Sequence, residues 1–553
     1  MRSDEAEIDR LLATMSREQR VAQLCWLTVH GADVDEARSE NLERFGVATP
    51  REVIEQFTPG GVVYFAWSGN TAHPVQTATL SAQLQEMAQR AGSGLPLALA
   101  VDEEGGRVAR LGPPAVRWPS ARALARAAGA DATVPRWQGQ AEELAAAGIT
   151  VNLAPCVDTA SEANPVLGAR SFSTDPATVA AHGAAAVRGI QATGLAATVK
   201  HFPGHGACSA DSHHELPKVD LTREEFAKGH LAPFAEVLSQ APPAAVMPGH
   251  LLVPAWDPAQ PATLSKVLLT DVLRGELGFE GAVISDSLSM GALAGLDPAE
   301  VAINAVAAGV DVLLTPPSHG RVTRALVEAI GSGRLDADRV DDAVRRVLRL
   351  KQGTTGLAAG PARVRPPDRE LQQALAADLA RRAVVVEGAA SALPVRGSLL
   401  VAGTTRRHGH ELAACLRARG HDAVTLEVPH DTPAHHRDRT QDAGQAGEHI
   451  EAASSRSPSA AHEWVSAFDS TSIVVAGDHP DRVERALTDA ADVIVDTGAG
   501  FPADGPRPAV RCYGDDPPAL AAAADTLTYG PRARPRSEGL PQRTAPPLGK
   551  RPG

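Results

Sequence analysis

The sequence predicts an α/β protein, an N-terminal (β/α)8 TIM-type barrel followed by a smaller α/β sandwich. Three observations predict it. Eight short apolar runs alternate with Ala-rich helical stretches through the first 350 residues, several of those runs end in charged or polar residues, and a second rhythm of strands and helices begins after a Gly- and Pro-rich stretch. Alternation of this kind implies a parallel sheet with crossover helices. In a barrel the chemistry gathers at the strand carboxyl ends.

In chain order the runs are QLCWLTV (23–29), GVVYFA (61–66), LALAV (97–101), TVNLAP (150–155), AATVK (196–200), AAVMP (244–248), AVIS (282–285) and DVLLTP (311–316). Asp102-Glu103-Glu104 follows the third, Asp158 the fourth, Lys200-His201 the fifth, His250 the sixth and Asp286 the seventh. Helical patterns such as 176–191 and 299–309 lie between them. An open doubly wound sheet shares this periodicity, but a barrel takes about 250 residues and tolerates insertions, so residues 1–352 match it better. Residues 353–369 read as a linker, 370–530 as the sandwich, with runs at 383–388, 398–403, 422–428, 472–477, 492–497 and 509–514 and helices at 410–420 and 480–491, and 531–553 as a disordered tail. A polar loop is expected over 430–460.

Composition narrows the function classes. A net charge of −13 lacks the basic footprint of a nucleic-acid binder. No run approaches the roughly 20 apolar residues of a membrane span, and the charged start does not read as a signal peptide, so a soluble cytoplasmic protein with no membrane partner is expected. The five cysteines are scattered and form no CxxC pair, which suggests neither a disulfide framework nor a zinc knuckle and fits a reducing compartment. The sequence leaves oligomeric state open.

Four clusters carry candidate chemistry. The densest is Lys200-His201-Phe202-Pro203-Gly204-His205-Gly206 with Asp211-Ser212-His213-His214, read as a loop because of its Pro and Gly. It could be a solvated His-rich loop, or a metal site using His201, His205, Asp211 and His213, although Lys200 beside such ligands would repel a cation. In the second cluster Asp286 follows an apolar strand, where an acid either caps the next helix or has a chemical role. The third, Asp102-Glu103-Glu104-Gly105-Gly106-Arg107-Val108-Ala109-Arg110, has paired glycines but neither phosphate-loop pattern. The fourth places Arg170 in a loop, alone a surface charge and in company a clamp.

The motifs DEEGGRVARL (102–111), NPVLGARSF (164–172), KHFPGHG (200–206) with DSH (211–213), and PATLS (261–265) followed by LRGELGFEGAVISDSLSMGA (273–292) resemble glycoside hydrolase family 3, within it the bacterial β-N-acetylglucosaminidases. The resemblance covers about residues 97–293. It implies Asp286 as nucleophile, Asp211 and His213 as the acid/base dyad, and Asp102, Arg110, Arg170, Lys200 and His201 as residues that hold the sugar, with no cofactor and no metal. Two positions depart from the family: Glu103 stands where Gln is common, and Ala207-Cys208 where Asp-Thr is common.

The roles suit the residue types. A retaining glycosidase needs an ionised nucleophile and a proton donor beside the leaving oxygen. A histidine, with an ordinary pKa of about 6.5, can be that donor, and a carboxylate two residues away can orient it. The expected activity is exo-acting removal of terminal GlcNAc from cell-wall or chitin-derived oligosaccharides, a small-molecule partner. The alternatives are a phosphorylase or β-glucosidase of the same family, the latter disfavoured by the DSH motif, a metal-dependent barrel hydrolase, and a catalytically inactive sugar-binding protein.

Overall fold

The computed structural model describes residues 2–91, 94–160, 164, 166–208, 210–354, 367–387, 399–403, 406–421, 423–427, 471–476, 493–496, 509–512 and 517–529. Most of the expected linker, the 430–460 loop, the helix expected at 480–491 and the expected tail lie outside the described residues.

Eight parallel strands form one sheet: β1 (Cys25–Leu27), β2 (Gly61–Tyr64), β3 (Ala98–Val101), β4 (Val151–Asn152), β5 (Ala196–Phe202), β6 (Ala245–Pro248), β9 (Ala282–Val283) and β10 (Leu313–Leu314). An antiparallel hairpin, β7 (Leu252–Val253) and β8 (Asp257–Pro261), is inserted between β6 and β9. β1 pairs with both β2 and β10. A parallel bridge between Ile284 and Val312 joins β9 to β10 and closes the ring. The expected barrel is thus the observed fold.

Side chains alternate across each strand, and the burial pattern follows. Trp26, Val63, Ala98, Ala100, Val151, Leu153, Met247, Ile284 and Leu314 fill the barrel interior, with Phe65 packed against them. Val62, Tyr64, Leu99 and Val101 point outward into the larger core under the helices. Both faces are buried, so the strands read as continuous apolar runs.

The helix Pro176–Gln191 matches its expected span: Pro176 occupies the first turn and the Asp175 carboxylate accepts from Thr178 N at 2.9 Å. Asp297 caps the helix Pro298–Ala308 in the same way. The helix Ala337–Gly353 contributes Val347 and Leu350 to the interior cluster and seals the end of the barrel remote from the strand carboxyl ends. Near it, the wholly buried Asp311 carboxylate accepts from Arg274, Arg339 and Arg346, tying two helices to the β9–β10 seam.

A second sheet has the order β11 (Val385–Glu387), β16 (Ala509–Arg511), β15 (Val493–Asp496), β14 (Thr471–Ala476), β12 (Leu399–Gly403) and β13 (Ala423–Glu427). All its pairs are parallel except β11 with β16. Its core joins Val495 and Val510 to Leu412 and Leu416 of the helix Arg406–Arg417 and to Leu520, Ala523 and Leu527 of the helix Pro517–Tyr529. The helix Arg369–Ala383 packs against Pro517–Tyr529 and also meets the barrel, where Arg369 pairs with Glu143 at 3.1 Å and Gln372 donates to the Gly139 carbonyl at 3.1 Å.

Candidate active site

Of the expected site residues, Asp102, Arg170, Lys200, His201 and Asp286 gather at the carboxyl ends of the barrel strands and the loop bearing Asp211 and His213 docks beside Asp286, whereas no described contact ties Arg110 to them. β5 differs from expectation in one respect. It runs through Phe202, so Lys200 and His201 stand on the strand rather than in a loop. The register with β6 shifts between Lys200 and Phe202, leaving His201 as an extra residue. Such a bulge re-aims side chains, and here two consecutive residues both reach carboxylates beyond the strand ends, Lys200 to Asp102 and Glu104 and His201 to Asp158.

Lys200 Nζ, on a side chain only 2% exposed, lies 2.7 Å from both Asp102 Oδ1 and Glu104 Oε1. The Arg170 guanidinium forks onto Glu104, Nε to Oε2 at 2.9 Å and Nη2 to Oε1 at 2.8 Å. Two carboxylates and two cations balance, as buried charges require. Burial alone would raise the Glu104 carboxyl, but the charges of Arg170 and Lys200 outweigh it and hold it well below the usual range. Lys200, which burial would lower, is raised by Asp102 and Glu104. Behind this group, Arg136 donates to the Glu104 carbonyl at 2.6 Å and stacks on Trp137 at 3.7 Å.

Glu103 faces away from that group. It accepts from the Arg110 and Leu111 amides at 2.7 and 3.1 Å, and burial raises its carboxyl. Its Oε2 takes both bonds and holds the turn that carries Arg110. Arg110 Nε is buried with no hydrogen-bond partner.

Asp158, wholly buried after β4, was not among the expected site residues. It accepts from His201 Nδ1 at 2.7 Å, from the His205 amide at 2.6 Å and from the Cys156 thiol at 3.2 Å. Burial works to raise it, but His201 and the amides prevail and its carboxyl lies well below the ordinary value. Bonding to Nδ1 leaves His201 Nε2 for the site. Cys156, Asp158 and His201 bring three possible ligand atoms within 4.8 Å of one another. The three groups are already bonded to one another, since Asp158 Oδ2 accepts from both the Cys156 thiol and His201 Nδ1. His201, His205, Asp211 and His213 do not assemble as a ligand group among the described residues.

Asp211 Oδ1 accepts from both the amide and Nδ1 of His213, at 2.9 and 2.7 Å. Burial opposes its ionisation, but these two bonds hold its carboxyl below the ordinary value. The loop docks on the segment after β9: Gly291 N donates to His213 O at 3.0 Å and Ala292 N to Ser212 O at 3.1 Å. A Cβ on Gly291 would sit 2.6 Å from the His213 carbonyl, so only glycine permits the contact. Below, the His205 ring bonds Ser212 Oγ at 3.1 Å. Cys208 is buried, and Asn164 Nδ2 donates to its carbonyl at 3.0 Å and to that of Gly206 at 3.0 Å, which fixes the loop where it departs from the family.

Half-buried Asp286 follows β9, with Oδ1 accepting from Ser287 N at 2.8 Å. Burial raises its carboxyl, but His201, His250, the Ser287 amide and Lys200 together bring it below the ordinary value. His250, also outside the expected set, donates from Nε2 to the Ser287 carbonyl at 3.0 Å, while Nδ1 meets Thr263 Oγ1 at 2.8 Å. Burial lowers its pKa and favours the neutral ring, so Thr263 donates to Nδ1. Thr315, at φ 47, bonds Ser287 Oγ at 2.6 Å from the other side. Asp158 and His250 signal themselves in the sequence only as polar residues just after apolar strands, while Glu104 lies in the 102–111 motif.

Three comparisons bear on this geometry. The family model described as Glycosyl hydrolase family 3 N terminal domain matches residues 18–350. β-Hexosaminidase A of Pseudoalteromonas piscicida is 33% identical over 386 residues, 63% of each chain. The β-hexosaminidase of Pseudomonas aeruginosa is 40% identical over 268 residues, 48% of this chain and 77% of its own. Thus the chain spans just under two thirds of the first relative's length. A glycoside hydrolase family 3 β-N-acetylglucosaminidase from Paenibacillus superposes with a TM-score of 0.76 at 28% identity, over 94% of this chain and 98% of its own. A barrel whose strand ends carry this carboxylate, histidine and arginine set, matched by the family model over more than half its length, means that the chain belongs to glycosyl hydrolase family 3.

Proposed function

We propose that the protein is a retaining exo-β-N-acetylglucosaminidase that releases terminal GlcNAc from cell-wall or chitin-derived oligosaccharides. The observation that carries the reading is the main-chain docking of the Asp211–His213 loop onto Gly291 and Ala292, which couples a proton donor to the loop of an ionised Asp286. The names of the hexosaminidase relatives support the same sugar.

In the first step an Asp286 oxygen attacks the anomeric carbon. The bond to the leaving oxygen breaks, and the His213 imidazolium gives that oxygen its Nε2 proton. In the second, neutral His213 takes a proton from water, the water oxygen bonds the anomeric carbon, and Asp286 leaves as carboxylate. Asp211 holds Nδ1 throughout. Asp102, Arg110, Arg170, Lys200 and His201 hold the sugar hydroxyls. None of the five cysteines forms a disulfide among the described residues, which supports a reducing, cytoplasmic setting. No described helix is long and apolar enough to cross a membrane.

The test is turnover of 4-nitrophenyl N-acetyl-β-glucosaminide beside the glucoside, with and without phosphate, and labelling by a 2-fluoro sugar. Free GlcNAc and a label on Asp286 are expected. Preference for the glucoside, GlcNAc 1-phosphate as product, or a label elsewhere would overturn the corresponding part of the reading. Loss of activity to a chelator and its return with zinc would favour the metal-dependent alternative.

A further inference from the structure

A tryptophan stands on the rim of the barrel mouth with most of its surface in water. Trp67, in the loop after β2, is 61% exposed, although the loop is rigidly held: Asn70 Nδ2 donates to the Val29 and Gly31 carbonyls at 3.0 and 2.9 Å, and Gly31 N donates to Ser68 O at 2.9 Å. The indole stacks on Phe65, with centroids 4.8 Å apart and planes 20° apart, and meets the His30 ring at 5.3 Å.

Strand register locates this group. Val63 points into the barrel and Tyr64 out, so Phe65 points in, and it packs on the interior cluster. Tyr64 pairs with Val101 and Leu27 with Val62. Continuing both registers upward sets His30, Phe65 and Asp102 side by side in the uppermost inward layer of β1, β2 and β3. Burial lowers the pKa of His30, so its ring packs as a neutral aromatic surface. The three rings rise as a step from beside Asp102 to the solvent.

We propose that His30, Phe65 and Trp67 form a stacking subsite in which the open face of Trp67 holds the pyranose ring next to the terminal sugar. The inference rests on the exo-β-N-acetylglucosaminidase reading, since an exo enzyme leaves one neighbouring ring, that of the leaving group. A pyranose presents a face of C–H bonds to an indole while its hydroxyls remain in water, and one indole matches one hexose in size. A protein partner would need an apolar patch many times larger. Clamping of the loop means that little conformational freedom is lost when the sugar arrives.

The test compares kcat/KM for a β-1,4-linked N-acetylglucosamine disaccharide with that for methyl N-acetyl-β-glucosaminide, whose leaving group offers no ring. In Trp67→Ala the ratio of disaccharide to methyl glycoside should fall about five- to tenfold, and Trp67→Phe should keep most of it. A ratio that stays at the wild-type value overturns the subsite, even if both rates drop together. In Asp286→Asn, which holds substrate without turnover, the disaccharide should shift tryptophan emission, and Trp67→Phe in that background should lose the shift. A shift with no wild-type cleavage of either glycoside keeps the subsite and overturns the activity. Cleavage with neither a shift nor a change in ratio does the reverse.

Discussion

The carboxylate of Asp286 is placed through its neighbour: His250 fixes the Ser287 carbonyl, and the Ser287 amide bonds the carboxylate. Because a misplacement of about 1 Å in a reacting group can cost on the order of a hundredfold, His250→Ala should lower kcat about 10- to 100-fold with a smaller change in KM. His250→Gln, which can donate to the same carbonyl, should recover part of it; equal loss in both variants would mean that His250 only fills space. The depressed pKa of Asp286 fixes a second expectation. A carboxyl lowered in this way remains ionised as pH falls to the ordinary aspartate value near 3.9 and is protonated only below it. Any acid limb of kcat/KM centred between about pH 5 and 7 therefore belongs to another group, and its midpoint should be the same in Asp286→Glu. A midpoint that moves with that substitution would contradict the assignment. Legibility at this scale was uneven. Asp102, Lys200, Arg170, Asp211, His213 and Asp286 stood out by company and motif, Glu104 lay in the 102–111 motif without a role read from it, and Asp158 and His250 orient those groups and carry no pattern of their own.

At the scale of elements the strands were readable because parallel strands buried on both faces leave unbroken apolar runs. The hairpin was not, since the β8 segment Asp257–Pro261 is polar with two prolines and has no reason to read as a strand. The bulge in β5 was hidden for a related reason: Pro203 and Gly204 announce a turn, and nothing local says that the strand lasts until Phe202. The docked loop yields a prediction. Gly291→Ala places a methyl group against two carbonyl oxygens, those of His213 and His214, at 2.6 and 2.7 Å. The backbone must separate, moving His213, the proposed acid, away from the segment after β9. Activity on alkyl glycosides should fall more than activity on 4-nitrophenyl glycosides, whose leaving group needs less protonation. Equal losses on both would show that the docking does not position the acid.

For the whole molecule, buried histidines make stability depend on pH. His182 and His319 have pKa values lowered to about 4 by burial, each packed beside a phenylalanine ring. Unfolded, they titrate near 6.5, so between about pH 6.5 and 4 the unfolded chain binds the extra protons and stability falls with falling pH. Glu104 and Asp158, with depressed values, contribute stability that is present above the unfolded carboxylate range and is lost only at lower pH. Thermal melts should therefore show Tm dropping from about pH 6.5 downward, and His182→Gln with His319→Gln should flatten that slope even if it lowers Tm at neutral pH. A slope unchanged in the double variant would assign it to other groups.

The two amides of Gly291 and Ala292 are also a clock. Each is hydrogen-bonded to the loop that presents His213, so each can exchange its hydrogen with solvent only when that loop has lifted. Their exchange rates, read against those of the barrel strands, measure how often the proposed acid and the proposed nucleophile part company. A substrate that draws the loop down would slow both amides together, recording on a heavy-water timescale how the mouth is assembled before any bond is broken.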